Sequence, residues 1–230
     1  MTSKNKGSKE AVVLLHGILK SNFDMSLIAA HLKRQGYDVV NISYPSREMN
    51  LEQLSEFVKS KLEAAPAFNN AAKVHFVTHS MGGLITRYYL DQNRPDNLGR
   101  VVMLSPPNQG SEFADFMTET KTLKRVYDRV FGPAGAQLRT KYQHSVNNKV
   151  DFPLGIIAGN ASINPMAPWV LGTNGDHDGI VPIERMKIDG MTDMITLKTS
   201  HMLMVFSEQV RKQVAYFLKH EKFDHGPGPV

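Results

Sequence analysis

Along this chain, short runs of consecutive apolar residues alternate with stretches whose apolar positions recur every three or four residues. The first run, "AVVLL" from Ala11 to Leu15, has no polar relief, which suits a strand buried on both faces of a parallel sheet. A helix is expected next, capped by Ser21 or Asn22, with Ile28 and Leu32 on one face and Gly36 placed to end it in the left-handed conformation. "YDVVNISYP" reads as a second strand stopped by Pro45. Asn50 with Gln53 three residues later has the form of a capping box, and Leu54, Val58 and Leu62 recur at i+4 until Pro66.

The same rhythm continues to the end of the chain. Val74 to Thr78 predicts a third strand, followed by a helix carrying Leu84, Ile85, Tyr88 and Tyr89. Further strands are expected around Val101 to Leu104, Leu154 to Ala158 and Met194 to Leu197, and a last helix should bury Phe206, Val210, Val214, Phe217 and Leu218 along one stripe. Strands and helices of this length in strict alternation imply a parallel sheet covered by helices on both sides.

Composition narrows what such a domain does. With 230 residues, 41% of them hydrophobic, the chain is long enough for one domain with a substantial core. Residues 1–10 and 221–230 are polar or rich in Gly and Pro, so both ends are expected to be flexible around a single domain. The 27 Lys and Arg outnumber 22 Asp and Glu, a formal charge of +5, but they are scattered apart from Lys121, Lys124, Arg125 and Arg129, which argues against a nucleic-acid partner. There is no cysteine, which excludes disulfides, Cys-ligated zinc and a thiol nucleophile. No apolar leader or span of ~20 residues is visible, so a cytoplasmic location is the default expectation.

The chemistry gathers at one junction. In "KVHFVTHSMGGLITRYYL" a serine, Ser80, lies where a strand runs straight into a helix, and in parallel sheets active groups collect at the carboxyl ends of strands. A sharp turn there would hold the Ser80 hydroxyl above the sheet, with Gly82 and Gly83 letting the turn close. It would also aim the backbone N–H of Met81 at whatever Ser80 attacks, beside the favourable field of a helix N-terminus.

"THSMG", Thr78 to Gly82, resembles the Gly-x-Ser-x-Gly nucleophile elbow of the α/β-hydrolases, and within them the small bacterial lipases and esterases. Thr78 departs from the first glycine of that pattern. "LLHGI", Leu14 to Ile18, is similar to the family's His-Gly loop, which implies that Ile18 donates the second oxyanion-hole N–H beside Met81. His16 itself is better read as hydrogen-bonded to its own loop, and His79 as bracing the elbow or lining the cleft.

"NGDHDGIVPIERM" is similar to the segment that carries the family's acid, which selects Asp178 over Asp176; Asp176 is better explained by an Asx-turn. A metal at Asp176, His177 and Asp178 is set aside, because three consecutive side chains rarely converge on one ion. "TSHMLM" puts His201 where the family has its general base, and the chain order Ser80, Asp178, His201 matches.

The resemblance spans residues 11 to 219. It implies an α/β-hydrolase fold with about six mostly parallel strands, helices on both faces, and a short helical lid insertion over residues 106–150. It also implies a carboxylic-ester hydrolase working through an acyl-serine, with an ester or lipid as substrate and no cofactor. "SPPNQGSEFADF" resembles the turn that leaves the sheet in lipase-like members; of the stripe Phe113, Phe116, Met117, Leu123, Tyr127 and Phe131, most side chains are better read as packed core, and if the insertion is a lid some aromatics should line an acyl pocket, with Phe113, Phe116 and Met117 the expected substrate-binding side chains. The basic cluster at Lys121 to Arg129 would suit transient contact with an anionic lipid surface. A thioesterase or acyltransferase with the same triad is the alternative enzyme, and a non-catalytic binding protein of this fold is the alternative from another class.

Overall fold

The computed structural model describes residues 9–142, 144–172 and 176–226. Six strands form one sheet: β1 (Ala11–Leu15), β2 (Asp38–Ile42), β3 (Val74–His79), β4 (Leu98–Leu104), β5 (Leu154–Gly159) and β6 (Asp193–Leu197). Their spatial order is β2-β1-β3-β4-β5-β6 and every pair is parallel, so the sheet is wholly rather than mostly parallel. The chain steps from β1 outward to β2, then crosses back to β3 on β1's other side. That reversal opens a crevice at the carboxyl ends of β1 and β3, the position where open α/β sheets hold their ligands.

The helices are α1 (Ser26–Arg34), α2 (Leu51–Glu63), the short α3 (Pro66–Asn69), α4 (Met81–Asn93), α5 (Glu112–Phe116), α6 (Lys121–Ala136), α7 (Ala167–Leu171), α8 (Ile183–Met186) and α9 (Glu208–His220). Alternation along β1 shows how they divide. Val12 and Leu14 face a core shared with α1 and α9, while Val13 and Leu15 face one shared with α2 and α4. Because both faces are covered, β1 is buried at all five residues, which is why its sequence lacks polar alternation. Among the described residues no helix is long and apolar enough to cross a membrane.

Local sequence signals set several boundaries. Ser21 caps a short 3-10 turn, Asn22–Met25, in a capping box with Asp24, and α1 follows from Ser26. Asn50 and Gln53 form the expected capping box at α2. Two expectations need correction. Phe206 is not on the stripe of α9: Ser207 caps that helix, and Phe206 ends a preceding 3-10 turn, 43% exposed. The tail does not fray from residue 221, because Phe223 is buried against Phe217 and Asp224 pairs through its backbone with the Gln213 side chain. Residues 1–8 and 227–230, also expected to be flexible, lie outside the described residues.

Candidate active site

Ser80 sits between β3 and α4 with φ 52° and ψ −124°, a left-handed backbone that disfavours side chains. The surroundings enforce it. Its N–H donates to Leu104 O at 2.8 Å, and α4 presses so closely on the end of β1 that a Cβ on Gly82 would lie 2.7 Å from the carbonyl oxygens of Leu15 and His16. Thr78 causes no distortion of the turn: it is a regular strand residue opposite Leu15 and Met103, and the strain falls on Ser80 alone. What Thr78 costs instead is a buried hydroxyl that finds no partner among the described residues.

Three side chains converge here: Ser80 after β3, Asp178 from the segment between α7 and α8, and His201 after β6. His201 Nε2 lies 3.0 Å from Ser80 Oγ, and His201 Nδ1 lies 2.7 Å from Asp178 Oδ2. A carboxylate only accepts, so Nδ1 carries the proton and Nε2 is left to accept from the serine hydroxyl. Asp178 also takes the N–H groups of Ile180 and Val181 on its other oxygen, and its backbone carbonyl accepts the His201 N–H at 3.0 Å. Burial pushes the Asp178 carboxyl up, but the adjacent His201 and these hydrogen bonds outweigh it and hold the group below its ordinary range. Ser105, at the end of β4, faces the same carboxyl without an aligned hydrogen bond.

The neighbouring histidines have other duties. His79 donates from Nε2 to the carbonyl of His201 at 3.0 Å, and burial lowers its pKa to about 3, so it stays neutral. His16 donates from Nδ1 to Gly17 O at 2.7 Å, and its Nε2 accepts the Tyr44 N–H at 3.4 Å. Tyr44 stacks on that ring with centroids 4.0 Å apart, and its hydroxyl donates to the His16 carbonyl. His177 is turned away from Asp178, bonding Gly172 O and the Gly179 N–H, while Asp176 is exposed.

Ile18 follows in the loop after β1, and Met81 is the first residue of α4. Among the described residues neither amide has a partner, as expected for Met81 in the first turn of a helix. Gly17 lets this loop approach: a Cβ there would meet His79 Nδ1 at 3.0 Å and Ser80 Cβ at 3.2 Å. Leu19 holds φ 59°, and its N–H donates to Ser46 Oγ at 3.2 Å. Tyr44 and Ser46, from the loop after β2, thus fix the shape of the segment that presents Ile18.

Ser80 and His201 open onto a cavity of about 260 Å³. Ile18, Phe113, Tyr127, Phe131, Leu138 and Val181 contribute apolar wall, and Leu19 and Met202, 45% and 40% exposed, mark its mouth. Phe113 is therefore at the cavity, but Phe116 and Met117 are not among its lining. Only the first turn of α5 reaches it, held there by Ser111 Oγ donating to Ile180 O at 2.6 Å, and Met117 packs into the core instead. Tyr127 and Phe131, farther along the stripe, line the cavity instead. Their helical spacing was visible in the sequence, but the face they present depends on how α6 docks. On that helix Lys124 pairs with Asp128, and the Arg129 carbonyl accepts from Arg47.

A family model described as the alpha/beta hydrolase fold matches residues 10–148. Over 68 residues, 30% of this chain, the sequence is 40% identical to a triacylglycerol lipase of Pseudarthrobacter phenanthrenivorans and to one of Burkholderia plantarii. Those matches cover 20% and 18% of the relatives, so the matched stretch spans about a fifth of their length. Among solved structures, mature Bacillus licheniformis lipase BlEst2 superimposes with a TM-score of 0.75 at 20% identity, over 96% of this chain and 95% of that one. The RedJ thioesterase of Streptomyces coelicolor superimposes with a TM-score of 0.58 at 14% identity, over 96% and 90%. At such identities the likeness is one of fold.

Proposed function

The chain belongs to the α/β-hydrolase fold family, and from that premise we propose that it is a serine hydrolase cleaving carboxylic esters through an acyl-Ser80 intermediate. The observation that carries this reading is the hydrogen-bonded line from Asp178 through His201 to Ser80, at 2.7 and 3.0 Å, opening onto an apolar cavity. The similarity to triacylglycerol lipases supports an ester as substrate.

A serine hydroxyl is a weak nucleophile near neutral pH, so the base that removes its proton must act during attack. His201 Nε2 is within hydrogen-bond reach of it. As the Ser80 Oγ–carbon bond forms, the proton passes to His201, and Asp178 stabilises the imidazolium while fixing its tautomer. The carbonyl oxygen becomes an oxyanion held by the amides of Ile18 and Met81, each such donor being worth about 10²–10³ in rate. Collapse breaks the ester C–O bond, and His201 returns the proton to the departing alcohol. Water then attacks the acyl-serine with His201 again as base, releasing the acid and regenerating Ser80.

The test is an alkyl fluorophosphonate, which should phosphonylate Ser80 in folded wild-type protein and leave Ser80→Ala unlabelled, as read by intact mass. Hydrolysis of p-nitrophenyl esters should vanish in the same variant. Absence of labelling in folded wild-type protein would overturn the reading. A panel of thioesters run beside the esters separates a thioesterase, whose acyl-serine chemistry would be the same.

A further inference from the structure

Resting on that reading, we propose that the substrate carries a short apolar acyl chain, and that the 106–150 insertion is a fixed wall setting this limit rather than a flap that opens. The space itself is small. At about 260 Å³, it lies below the range of roughly 300–1,000 Å³ in which drug-sized ligands are enclosed.

The lining away from the reacting groups is mostly apolar, and its few polar groups are already engaged. Ser111 Oγ is engaged with Ile180 O, and the Tyr127 hydroxyl donates to Gly135 O at 3.0 Å, so the aromatic ring is what that residue contributes. Lys20, near the mouth, is paired with Asp24 at 3.2 Å. A hydroxylated or charged acyl group would lose its hydration along the apolar wall and regain few partners, which is costly.

The wall also has no room to retreat. Gly132 interrupts α6 with φ 64°, and a Cβ there would lie 1.8 Å from the Arg47 carbonyl oxygen, so the two backbones touch. Arg47 Nη2 donates to Arg129 O at 3.2 Å, just before this kink. Gln137 accepts the Leu51 N–H at 2.6 Å and donates to Glu52 at 2.9 Å, which ties the end of α6 to the first turn of α2. Leu138 O accepts the Ser111 N–H at 2.9 Å, which ties it to the start of α5. Swinging α6 outward would break these bonds together and expose Tyr127, which is 2% exposed. A chain longer than the cavity therefore meets this wall and cannot seat its carbonyl at Ser80 without turning back through the mouth, so kcat/KM should fall once the cavity is full.

The experiment measures kcat/KM for p-nitrophenyl esters from acetate to hexadecanoate. A maximum among the short esters, acetate to octanoate, and a fall of at least about 100-fold by hexadecanoate are expected. Rate against tributyrin concentration should saturate smoothly through the solubility limit. Phe131→Ala should raise the dodecanoate-to-butanoate ratio at least about ten-fold. Because that variant could misfold, wild-type protein is also treated with fluorophosphonates of graded alkyl length, short ones labelling Ser80 and hexadecyl failing to do so in the same time. Equal labelling by short and long probes, or a jump in rate at the solubility limit, would overturn this inference and leave the hydrolase reading standing. Failure of every probe would overturn the hydrolase reading, and this inference with it.

Discussion

His79 should make the fold sensitive to mild acid. Its ring is buried beside His201 and donates to that residue's carbonyl, and burial lowers its pKa from 6.5 to about 3. Between those values the unfolded chain binds a proton at this position and the folded chain does not. A depressed folded pKa contributes stability that is present above pH 6.5 and lost as pH falls. Moving from pH 7 to pH 4.5 therefore costs on the order of 2–3 kcal/mol from this one group. His79→Gln keeps an N–H for the His201 carbonyl but cannot titrate. Urea unfolding of both proteins at pH 7 and at pH 4.5 gives the test: the loss of stability on acidification should be smaller in His79→Gln by on the order of 2–3 kcal/mol. A difference under about 0.7 kcal/mol would refute the reasoning, because His79 would then bind its proton as readily folded as unfolded.

Asp178→Asn should lower kcat on the order of 10⁴-fold through loss of the correct His201 tautomer, whereas Asp176→Asn should stay within about two-fold, both read from initial rates on p-nitrophenyl butanoate. Ser46→Ala removes the acceptor that holds the Leu19 N–H, so kcat should fall about ten-fold with KM changed less than about two-fold, because the amide of Ile18 matters most once charge develops. Gly82→Ala should lower stability by about 1–3 kcal/mol or more in thermal unfolding, since its methyl would meet two backbone oxygens at 2.7 Å.

The parallel sheet was legible because its central strands are buried on both faces and so are written as unbroken apolar runs, as in Ala11–Leu15. Ser80 stood out because a strand runs straight into a helix there, whereas Asp178 and His201 were singled out by resemblance to family segments and by chain order, and the fold brings the three together. The cavity was not, since its walls come from side chains whose direction is set by docking. Phe113 lines it while Phe116 and Met117, on the same short segment, do not. Tyr44 and Ser46 gave no signal at all. They act on a loop some 28 residues earlier in the chain, through bonds that exist only once β1 and β2 lie side by side. Phe206 shows the same limit at smaller scale: its spacing fits the stripe of α9, but the helix begins after it at the Ser207 cap.

Of the four described residues other than glycine with positive φ, three lie just beyond strand ends at the crevice: Leu19 after β1, Ser80 after β3 and Ser105 after β4. Such conformations cost about 1–3 kcal/mol each, and glycine would adopt them more easily. A library of this protein selected only for heat resistance would therefore be expected to accumulate glycine at those positions. Its winners would be sturdier proteins that had lost the proposed nucleophile, Ser80, or relaxed the loop that carries Ile18, so any engineering of this chain for endurance must score turnover in the same round.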